Sequence, residues 1–454
     1  MIDPSRVQLL NDRPPRAGRK YVLYWMQASQ RTRFNHALEY AIGRANELRL
    51  PVVVGFGLMD DYPEANARHY AFMLQGLRDV EAALAKRGIP FMVQRGVPAE
   101  VALRLSRDAA IVVCDRGYLR HQKQWRDEVA DRARCEVVEV ESDVVVPVEV
   151  ASDKPEFAAR TLRPRIHRHL DDYLKPVTHG RVRVAAKTQA TRRAVRASDP
   201  VAALAKLKLD RSVAPSNRFT GGEVAARKLL RAFIANKLRG YVSNRSEPSL
   251  QHTSTLAAYL HFGHISPLEI ALGVSNSSSP KVDRDVYLEE LIIRRELAIN
   301  FCHFNPRYDT FDGLPAWAKK TLAEHRRDAR PAIYTREQLE RAQTGDRYWN
   351  AAQLEMTRTG YMHKSMRMYW GKRIIEWKRT PQEAYADAIY LNNRYFLCGR
   401  DPNAWTNVGW LFGLHDRPWG PARPIFGLVR YMNAAGLERK FDMDAYVAWV
   451  DTLA

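Results

Sequence analysis

The stretch PVVVGFGL, residues 51–58, is an unbroken apolar run that begins at a proline and is rich in β-branched residues, as expected of a buried strand. Similar short runs flank it: YVLYWMQ at 21–27, PFMVQRG at 90–96, AIVVCDRG at 110–117 and CEVVEVE at 135–141. Longer amphipathic segments separate these runs, at residues 35–49, 65–87, 98–107 and 119–134. Because parallel neighbouring strands need crossover connections, this alternation predicts an α/β domain with a Rossmann-like parallel sheet between layers of helices.

The second half of the chain has a different pattern. From about Thr220 onward the strand-like runs give way to segments of helical periodicity, at residues 222–239, 256–261, 267–272, 284–303, 335–341, 346–358, 364–378, 381–395 and 444–453. Residues 403–427, rich in Gly, Pro and Trp, have few helix-stabilising features. The stretch 179–198 is basic and contains no acidic residue, as in a solvated connection. We therefore predict an α/β domain at 1–175, a linker at 176–219 and an all-α domain at 220–454.

The composition restricts the partners and the location of the protein. Its 454 residues include 71 Lys and Arg against 51 Asp and Glu, a formal net charge of +20. Such an excess attracts polyanions, and nucleic acid is favoured over a membrane surface. The apolar runs fall far short of the ~20 residues of a membrane span, and the first residues lack the apolar core of a signal peptide. We expect a cytosolic protein, associated with the nucleoid if its source is prokaryotic.

Common catalytic and metal-binding motifs do not occur in the sequence. Four cysteines are scattered along it: Cys114, Cys135, Cys302 and Cys398. They form no CxxC or Cys/His cluster, so no metal site is predicted. The only glycine-rich candidate, GFG at 55–57, lacks the third glycine of the dinucleotide fingerprint. The absence of P-loop, HExxH and GxSxG motifs argues against P-loop NTPases, zincins and α/β-hydrolases.

Aromatic residues concentrate toward the C-terminal end, since seven of the ten Trp follow residue 348. Trp370 and Trp377 are seven residues apart, which places them on one helical face and ~10 Å apart along the axis. Two such indoles can pass an electron along a helix, although ordinary core packing explains the same spacing. The spacing alone leaves both interpretations open.

Two further segments have features of nucleotide or nucleic-acid binding. Residues 403–427 hold three Trp beside two Arg and a His, and aromatic faces next to cations can stack unpaired bases and hold phosphates. A cap of tryptophans over the helical core is the alternative. Thr253–Ala257 precedes a helical segment, where hydroxyls and free amides either hold phosphate oxygens or only cap the helix.

Five motifs in this order resemble the photolyase and cryptochrome superfamily, and within it the class II cyclobutane pyrimidine dimer photolyases. The motifs are STLAAYLHFGHIS at 254–266, EELIIRRELAINFCHF at 289–304, MHKSMRMYWGKRIIEW at 362–377, LNNRYFLCGRDPN at 391–403 and GLHDRPWGPARPIFGLVRYMNAAGLERKFD at 413–442. The resemblance covers nearly the whole chain. It implies an antenna domain followed by a helical FAD-binding catalytic domain.

The activity implied by the resemblance is that of a deoxyribodipyrimidine photo-lyase. Reduced FAD absorbs light and donates an electron to a cyclobutane dimer flipped out of duplex DNA, a strategy shared by enzymes that act on unstacked bases. The residues expected to contact FAD are Tyr241, Arg245, Thr253, Ser254, Thr255, Leu256, Ala257, Arg367, Asn392 and Asp401. Among them, Arg367 would stabilise negative charge on the flavin, and the amide of Asn392 would lie near flavin N5.

The resemblance also implies roles in substrate binding and electron supply. Glu290, Met368 and Trp410 match residues of the dimer pocket, and Arg417 and Trp419 match the loop that fills the gap left by the flipped bases. The expected electron chain consists of Trp370 near the flavin, then Trp349, then Trp377 toward solvent. We expect a monomer that binds DNA containing a dimer. The resemblance leaves open a second, light-harvesting chromophore, either a deazaflavin or a folate.

Two positions depart from the family pattern. Asn393 and Cys398 stand where relatives commonly have aspartate, and the aspartate at the second position pairs with the arginine that corresponds to Arg367. Its loss leaves a buried cation under-compensated, unless Asp401 or a water substitutes. Two alternatives to dimer repair follow: a cryptochrome-like photoreceptor with the same fold, and a light-independent nucleic-acid-binding protein.

Overall fold

The computed structural model describes residues 2–186 and 195–453. Part of the predicted linker, including its basic residues Lys187, Arg192 and Arg193, falls outside these ranges. The N-terminal half contains strands β1 Val7–Leu9, β2 Tyr21–Trp25, β3 Val52–Leu58, β4 Phe91–Arg95, β5 Ala109–Asp115 and β6 Glu136–Val140. Its helices, with those that follow as far as residue 205, are α1 His36–Glu47, α2 Ala67–Lys86, α3 Pro98–Ser106, α4 Arg120–Arg132, α5 Val148–Ala151, α6 Ala159–Tyr173 and α7 Pro200–Ala205.

The sheet has the order β1-β6-β5-β2-β3-β4. All five predicted strands are present as β2 to β6, and they pair in parallel. The expectation of a wholly parallel sheet is wrong at one edge, where β1 pairs antiparallel with β6. This strand has only three residues, two of them exposed, so it lacks the apolar pattern that identifies the others.

The two glycines of β3 serve the packing of the sheet. A Cβ atom at Gly57 would lie 2.6 Å from the Cα atom of Pro98, the first residue of α3, and one at Gly55 would lie 2.6 Å from a methyl group of Leu105. These positions require glycine because α3 packs directly on the strand. The GFG sequence is therefore explained by close helix-to-sheet contact within a strand.

The C-terminal half is helical, as predicted, apart from one isolated bridge. Its helices are α8 Glu223–Asn236, α9 Tyr241–Asn244, α10 Ala257–His261, α11 Pro267–Ser275, α12 Lys281–Leu288, α13 Arg295–Phe304, α14 Ala316–Glu324, α15 Arg336–Glu340, α16 Arg347–Thr359, α17 Lys364–Trp377, α18 Pro381–Tyr395, α19 Pro402–Leu411, α20 Ala434–Glu438 and α21 Met443–Asp451. The predicted single helix at 284–303 is divided by a π-helical turn, Glu289–Arg294, a feature often found at functional sites. Among the described residues, no helix has the length and apolar character needed to cross a membrane.

The expectation that residues 403–427 have few helix-stabilising features is wrong for their first part. Helix α19 occupies Pro402–Leu411, and the Asp401 carboxylate caps it by accepting a 2.6 Å hydrogen bond from the amide of Ala404. An N-cap aspartate followed by proline is a strong helix start, and it outweighs the later glycines and tryptophans. Trp405 and Trp410 consequently lie on a helix.

The two halves are joined by buried arginines that donate to backbone carbonyls. The Arg31 guanidinium bonds Asp143 at 2.7 Å within its own half and the carbonyl of Gly263 at 3.2 Å in the other. Arg68 donates to the carbonyls of Thr357 at 2.6 Å and Tyr395 at 3.0 Å. The boundaries at 175 and 219 stay predictions.

Candidate functional site

Three buried tryptophans form a continuous contact path in the helical half. Trp370 and Trp377 lie on α17 as predicted, but the ring contacts run through Trp349 of α16. The ring centroids of Trp349 and Trp370 are 6.5 Å apart with nearly parallel planes, and those of Trp349 and Trp377 are 5.3 Å apart in an edge-on arrangement. The structure thus brings the three indoles together in the order that the resemblance implies.

Hydrogen bonds fix the orientation of two of these rings. The Trp370 Nε1–H donates to the Gln353 side-chain oxygen at 2.8 Å, and the Trp349 Nε1–H donates to the carbonyl of Trp370 at 2.9 Å. Gln353 is fully buried, so this bond satisfies a polar group that has no access to water. Both indoles are held rigidly in contact.

The outer end of the path continues to a residue that sequence analysis missed. Tyr334 packs edge-on against Trp377 with ring centroids 5.0 Å apart, and it is only half-buried. The Arg373 guanidinium lies 4.7 Å from the Trp377 ring centroid. Tyr334 belongs to a loop more than forty residues away in sequence, so no local spacing indicates this contact.

The inner end of the path meets the half-buried cation Arg367. Phe396 packs edge-on against Trp370 at 6.5 Å, and the Arg367 guanidinium carbon lies 3.8 Å from the same phenyl centroid. Arg367 donates to the Cys398 sulfur at 3.4 Å, and its Nε atom is buried with no hydrogen-bond partner among the described residues. No carboxylate of the described residues forms a salt bridge with Arg367, although burial raises the pKa values of Asp401 and Glu355 and the charge of Arg367 partly lowers them from a longer distance. The sequence-based pairing of Arg367 with position 398 agrees with this contact.

Asn392 lies on α18 in a buried amide pair. Its Nδ2 group donates to the side-chain oxygen of Asn393 at 2.9 Å, and Asn393 in turn donates to the Glu64 carboxylate. The backbone of Gly399 lies so close that a Cβ atom there would be 2.7 Å from the Asn392 carbonyl oxygen. This contact holds the segment containing Cys398 against α18. Asn393 therefore has a structural partner in the α/β half.

The predicted phosphate-binding loop, residues 253–257, leads directly into α10. The Thr253 hydroxyl lies 3.0 Å from the hydroxyl of Tyr361, and Thr255 adopts the left-handed region with a φ of 53°. Leu256 is the N-cap of α10, and no side chain of the described residues caps that helix. The backbone amides of its first turn therefore have no side-chain acceptor.

Tyr241, Arg245 and Glu290 lie together. Tyr241 packs edge-on against Tyr287 at 5.3 Å, and the Arg245 guanidinium lies 5.7 Å from the Tyr241 ring centroid. Arg245 also pairs with Glu290 at 2.7 Å, and the Glu290 side chain is 41% exposed. Arg245, an expected FAD contact, and Glu290, an expected dimer contact, thus form one ion pair, and Glu290 belongs to the π-helical turn.

The expected DNA-binding residues lie at two places on the surface. Trp410, at the C-terminal end of α19, has the Arg294 guanidinium 5.4 Å from its ring centroid. Trp419 lies in an exposed loop between two cations, with Arg417 at 4.8 Å and Arg430 at 5.0 Å from its ring. Met368 is half-buried on α17 against the helical core. Arg430 is a further cation of this loop that the sequence analysis did not select.

Asp401 faces the α/β half. It lines a cavity between the two halves, together with Met26, Gly57, Tyr118 and Arg400, and lies 3.9 Å from His261. Burial raises the pKa of Asp401 to about 6, although Arg295, Arg367 and Arg400 partly offset this effect. The cavity lies at the carboxyl ends of β2, β3 and β5, where open α/β sheets bind ligands.

Comparison with known proteins agrees with this architecture. Residues 22–182 match the family model described as DNA photolyase. A deoxyribodipyrimidine photo-lyase from Methanothermobacter thermautotrophicus is 46% identical over 447 residues, which cover 98% of each chain. One from Oryza sativa subsp. japonica is 40% identical over 99% of this chain and 91% of that relative, and one from Potorous tridactylus is 39% identical over 93% and 79%.

The fold is also shared with a solved structure. A bacterial class III photolyase from Agrobacterium tumefaciens superposes with a TM-score of 0.74 at 19% identity, covering 96% of this chain and 87% of that one. With full-length relatives at up to 46% identity, this chain belongs to the DNA photolyase family. The predicted superfamily and fold class are confirmed, and the class II assignment fits the plant and Potorous relatives.

Proposed function

We propose that this protein is a light-dependent DNA repair enzyme that splits cyclobutane pyrimidine dimers. The observation that carries the proposal is the buried path of Trp370, Trp349 and Trp377, whose inner end meets Arg367, a cation without a salt bridge among the described residues, through Phe396. A polar pocket that holds an anionic redox group needs both a fixed positive charge and a route for electrons. The full-length similarity to proteins named deoxyribodipyrimidine photo-lyase supports the same function.

The residues around Arg367 fit FAD. Bound in its reduced form, this cofactor supplies the light-excited electron that opens the cyclobutane ring. The Arg367 Nε atom is buried without a partner, so the site offers an unused hydrogen-bond donor and a positive charge to an anionic ring. Thr253–Ala257 offers hydroxyls and uncapped amides to the cofactor phosphates, and Asn392 offers an amide.

On the substrate side, the exposed part of Glu290 accepts hydrogen bonds from the flipped bases while Arg245 holds its other oxygen in place. Trp410 provides an aromatic wall for the dimer. Stacking on this wall replaces part of the stacking energy that the bases lose on leaving the duplex. Trp419, between Arg417 and Arg430, enters the gap left in the duplex. These residues exclude water from the lesion and orient it, and the protein acts on DNA as a monomer.

The cavity between the two halves is proposed to bind a light-harvesting chromophore. Aromatic and apolar side chains such as Phe56, Tyr62 and Trp125 line it, with Arg116 and Arg400 as cationic contacts. A planar heteroaromatic ligand such as a deazaflavin or a folate suits this lining. Release of the ligand by denaturation, followed by chromatography and mass spectrometry, identifies it, and recovery of FAD alone contradicts this assignment.

Repair in light and darkness tests the function. Chemically reduced, FAD-loaded protein is mixed with an oligonucleotide containing one thymine dimer, and the loss of the dimer is followed under blue light and in the dark. We expect restoration of thymines only under illumination. Flavin absorption without repair in light would instead favour the cryptochrome-like photoreceptor, and protein that binds DNA but no flavin would favour the light-independent alternative.

A further inference from the structure

An exposed aromatic side chain from the α/β half lies at the edge of the dimer-binding surface. Phe157 is 49% exposed, and it precedes the first turn of α6. Exposure of an isolated phenyl ring is unremarkable by itself. The position of Phe157 relative to Trp410 and the rigidity of its segment distinguish it from other exposed apolar residues.

A single buried histidine connects Phe157 with Trp410. The Nδ1 atom of His415 lies 2.8 Å from the carbonyl oxygen of Phe157, so Nδ1 carries the proton and donates it. The imidazole also packs edge-on against Trp410 at 6.4 Å and against Phe301 at 5.6 Å. His415 adopts the left-handed region with a φ of 58°, a backbone conformation that persists only when the surrounding structure holds it. Phe157 is therefore held at a defined distance from the proposed wall of the dimer pocket.

The segment that contains Phe157 is held on its other side as well. The backbone amide of Glu156 donates to the side-chain oxygen of Asn300 at 2.7 Å, and Asn300 donates to the carbonyl of Lys154 at 3.0 Å. The Glu156 carboxylate accepts from Ser152 at 2.7 Å and pairs with Arg165 at 2.9 Å. An aromatic side chain on so constrained a backbone loses little conformational entropy on binding.

Cations accompany this aromatic residue. Arg160 follows Phe157 by three residues on the first turn of α6, is exposed, and makes no ion pair among the described residues. Arg163, one turn further on, pairs with Glu289 at 2.7 Å, which connects α6 to the π-helical turn that carries Glu290 and Arg294. An exposed ring and an exposed guanidinium three residues apart match the combination by which proteins stack a base and hold the adjacent phosphate.

We propose that Phe157 and Arg160 form a further DNA contact, in which Phe157 stacks on a base flanking the flipped dimer and Arg160 binds a backbone phosphate. This inference rests on the proposed function, because it takes the surface around Trp410 as the lesion-binding surface. It assigns to the α/β half a direct part in substrate binding. His415 acts as a positioning residue that couples the two aromatic contacts.

The test compares Phe157→Ala with Phe157→Trp and Arg160→Gln in the FAD-loaded protein, kept in the dark. Fluorescence anisotropy measures the Kd for a labelled duplex containing one thymine dimer and for the same duplex without the lesion. Loss of one base stack is expected to weaken binding of the lesion duplex about tenfold in Phe157→Ala, whereas Phe157→Trp retains the affinity. Arg160→Gln is expected to lower the slope of log Kd against log salt concentration by about one.

Controls separate this inference from the function on which it rests. Trp410→Ala serves as the positive control for weakened lesion binding, and an unchanged rate of flavin photoreduction in Phe157→Ala shows an intact fold and indole path. If wild-type protein does not prefer the lesion duplex, the proposed function fails, while the comparison of variants still reports on the contact. A Kd within twofold of wild type in Phe157→Ala, or an equal loss in Phe157→Trp, would overturn the proposed stacking.

Discussion

Replacing Cys398 by aspartate tests whether the positive charge of Arg367, which has no salt bridge among the described residues, matters to the cofactor. The guanidinium donates to the Cys398 sulfur at 3.4 Å, so a carboxylate at position 398 would lie about 4 Å from the cation. Two unit charges at that distance attract by ~4 kcal/mol at an effective dielectric constant of about 20. Desolvation of the new carboxylate costs several kcal/mol in return, so the free energy of unfolding is expected to change little.

The substitution is expected to affect the midpoint potential of bound FAD much more than the free energy of unfolding. If a carboxylate at position 398 removes about half of the ~4 kcal/mol from the attraction between Arg367 and an anionic flavin, the flavin anion loses ~2 kcal/mol of stabilisation. This energy corresponds to ~90 mV for a one-electron couple. We therefore expect Cys398→Asp to lower the midpoint potential of bound FAD by several tens of millivolts. Spectroelectrochemical titration of the purified holoprotein measures this shift directly.

Cys398→Ser is the matched control, because it removes the sulfur without adding a charge. Its midpoint potential is expected to stay within experimental error of wild type, and thermal unfolding of both variants monitors the fold. A potential that is unchanged in Cys398→Asp, or that shifts equally in both variants, would refute the electrostatic role of Arg367.

Two further predictions concern buried groups. Trp370→Phe breaks the contact path and leaves the buried Gln353 oxygen without its donor, so light-driven reduction of oxidised FAD should slow at least tenfold and stability should fall by ~1–3 kcal/mol. Chemically reduced variant should still repair dimers, and loss of both activities would contradict the role of the path. Burial raises the pKa of Glu296 to about 8. Between pH 4.5 and about 8 the folded state therefore keeps a proton that the unfolded state loses, so the free energy of unfolding falls as the pH rises through this range. Glu296→Gln should reduce the fall in Tm between pH 5 and pH 8, whereas the exposed control Glu324→Gln should not; equal falls in all three proteins would rule out this titration.

The sequence predicts the sheet well because its strands are buried on both faces. The apolar runs of β3 and β5 are continuous, so their length and β-branched content identify them without knowledge of any partner strand. The edge strand β1 escapes prediction because three half-exposed or exposed residues carry no such pattern. Helix α19 was not predicted, because the Gly, Pro and Trp content of residues 403–427 was given more weight than the Asp401-Pro402 helix start.

For the site, the family resemblance indicated the three indoles and their order, but not the residues that contact the two ends of the path. The spacing of Trp370 and Trp377 does not indicate Trp349, which lies on another helix and contacts both rings. Phe396, which extends the path at its inner end, lies within the motif at 391–403 but was not predicted as a site residue, and Tyr334, at the outer end, lies outside the five motifs. Such contacts depend on tertiary packing, which a single sequence does not encode in any local period.

The proposed repair requires that a light-excited flavin in the helical half lies close enough to a bound dimer for an electron to pass between them. The most direct measurement is the fluorescence lifetime of reduced FAD in the holoprotein, recorded alone, with an undamaged duplex and with a duplex containing one thymine dimer. The lesion duplex is expected to shorten the lifetime, because electron transfer competes with emission, and the undamaged duplex is expected to leave it unchanged. An identical lifetime in all three samples, at DNA concentrations that saturate binding, would contradict electron transfer from the excited flavin to the dimer.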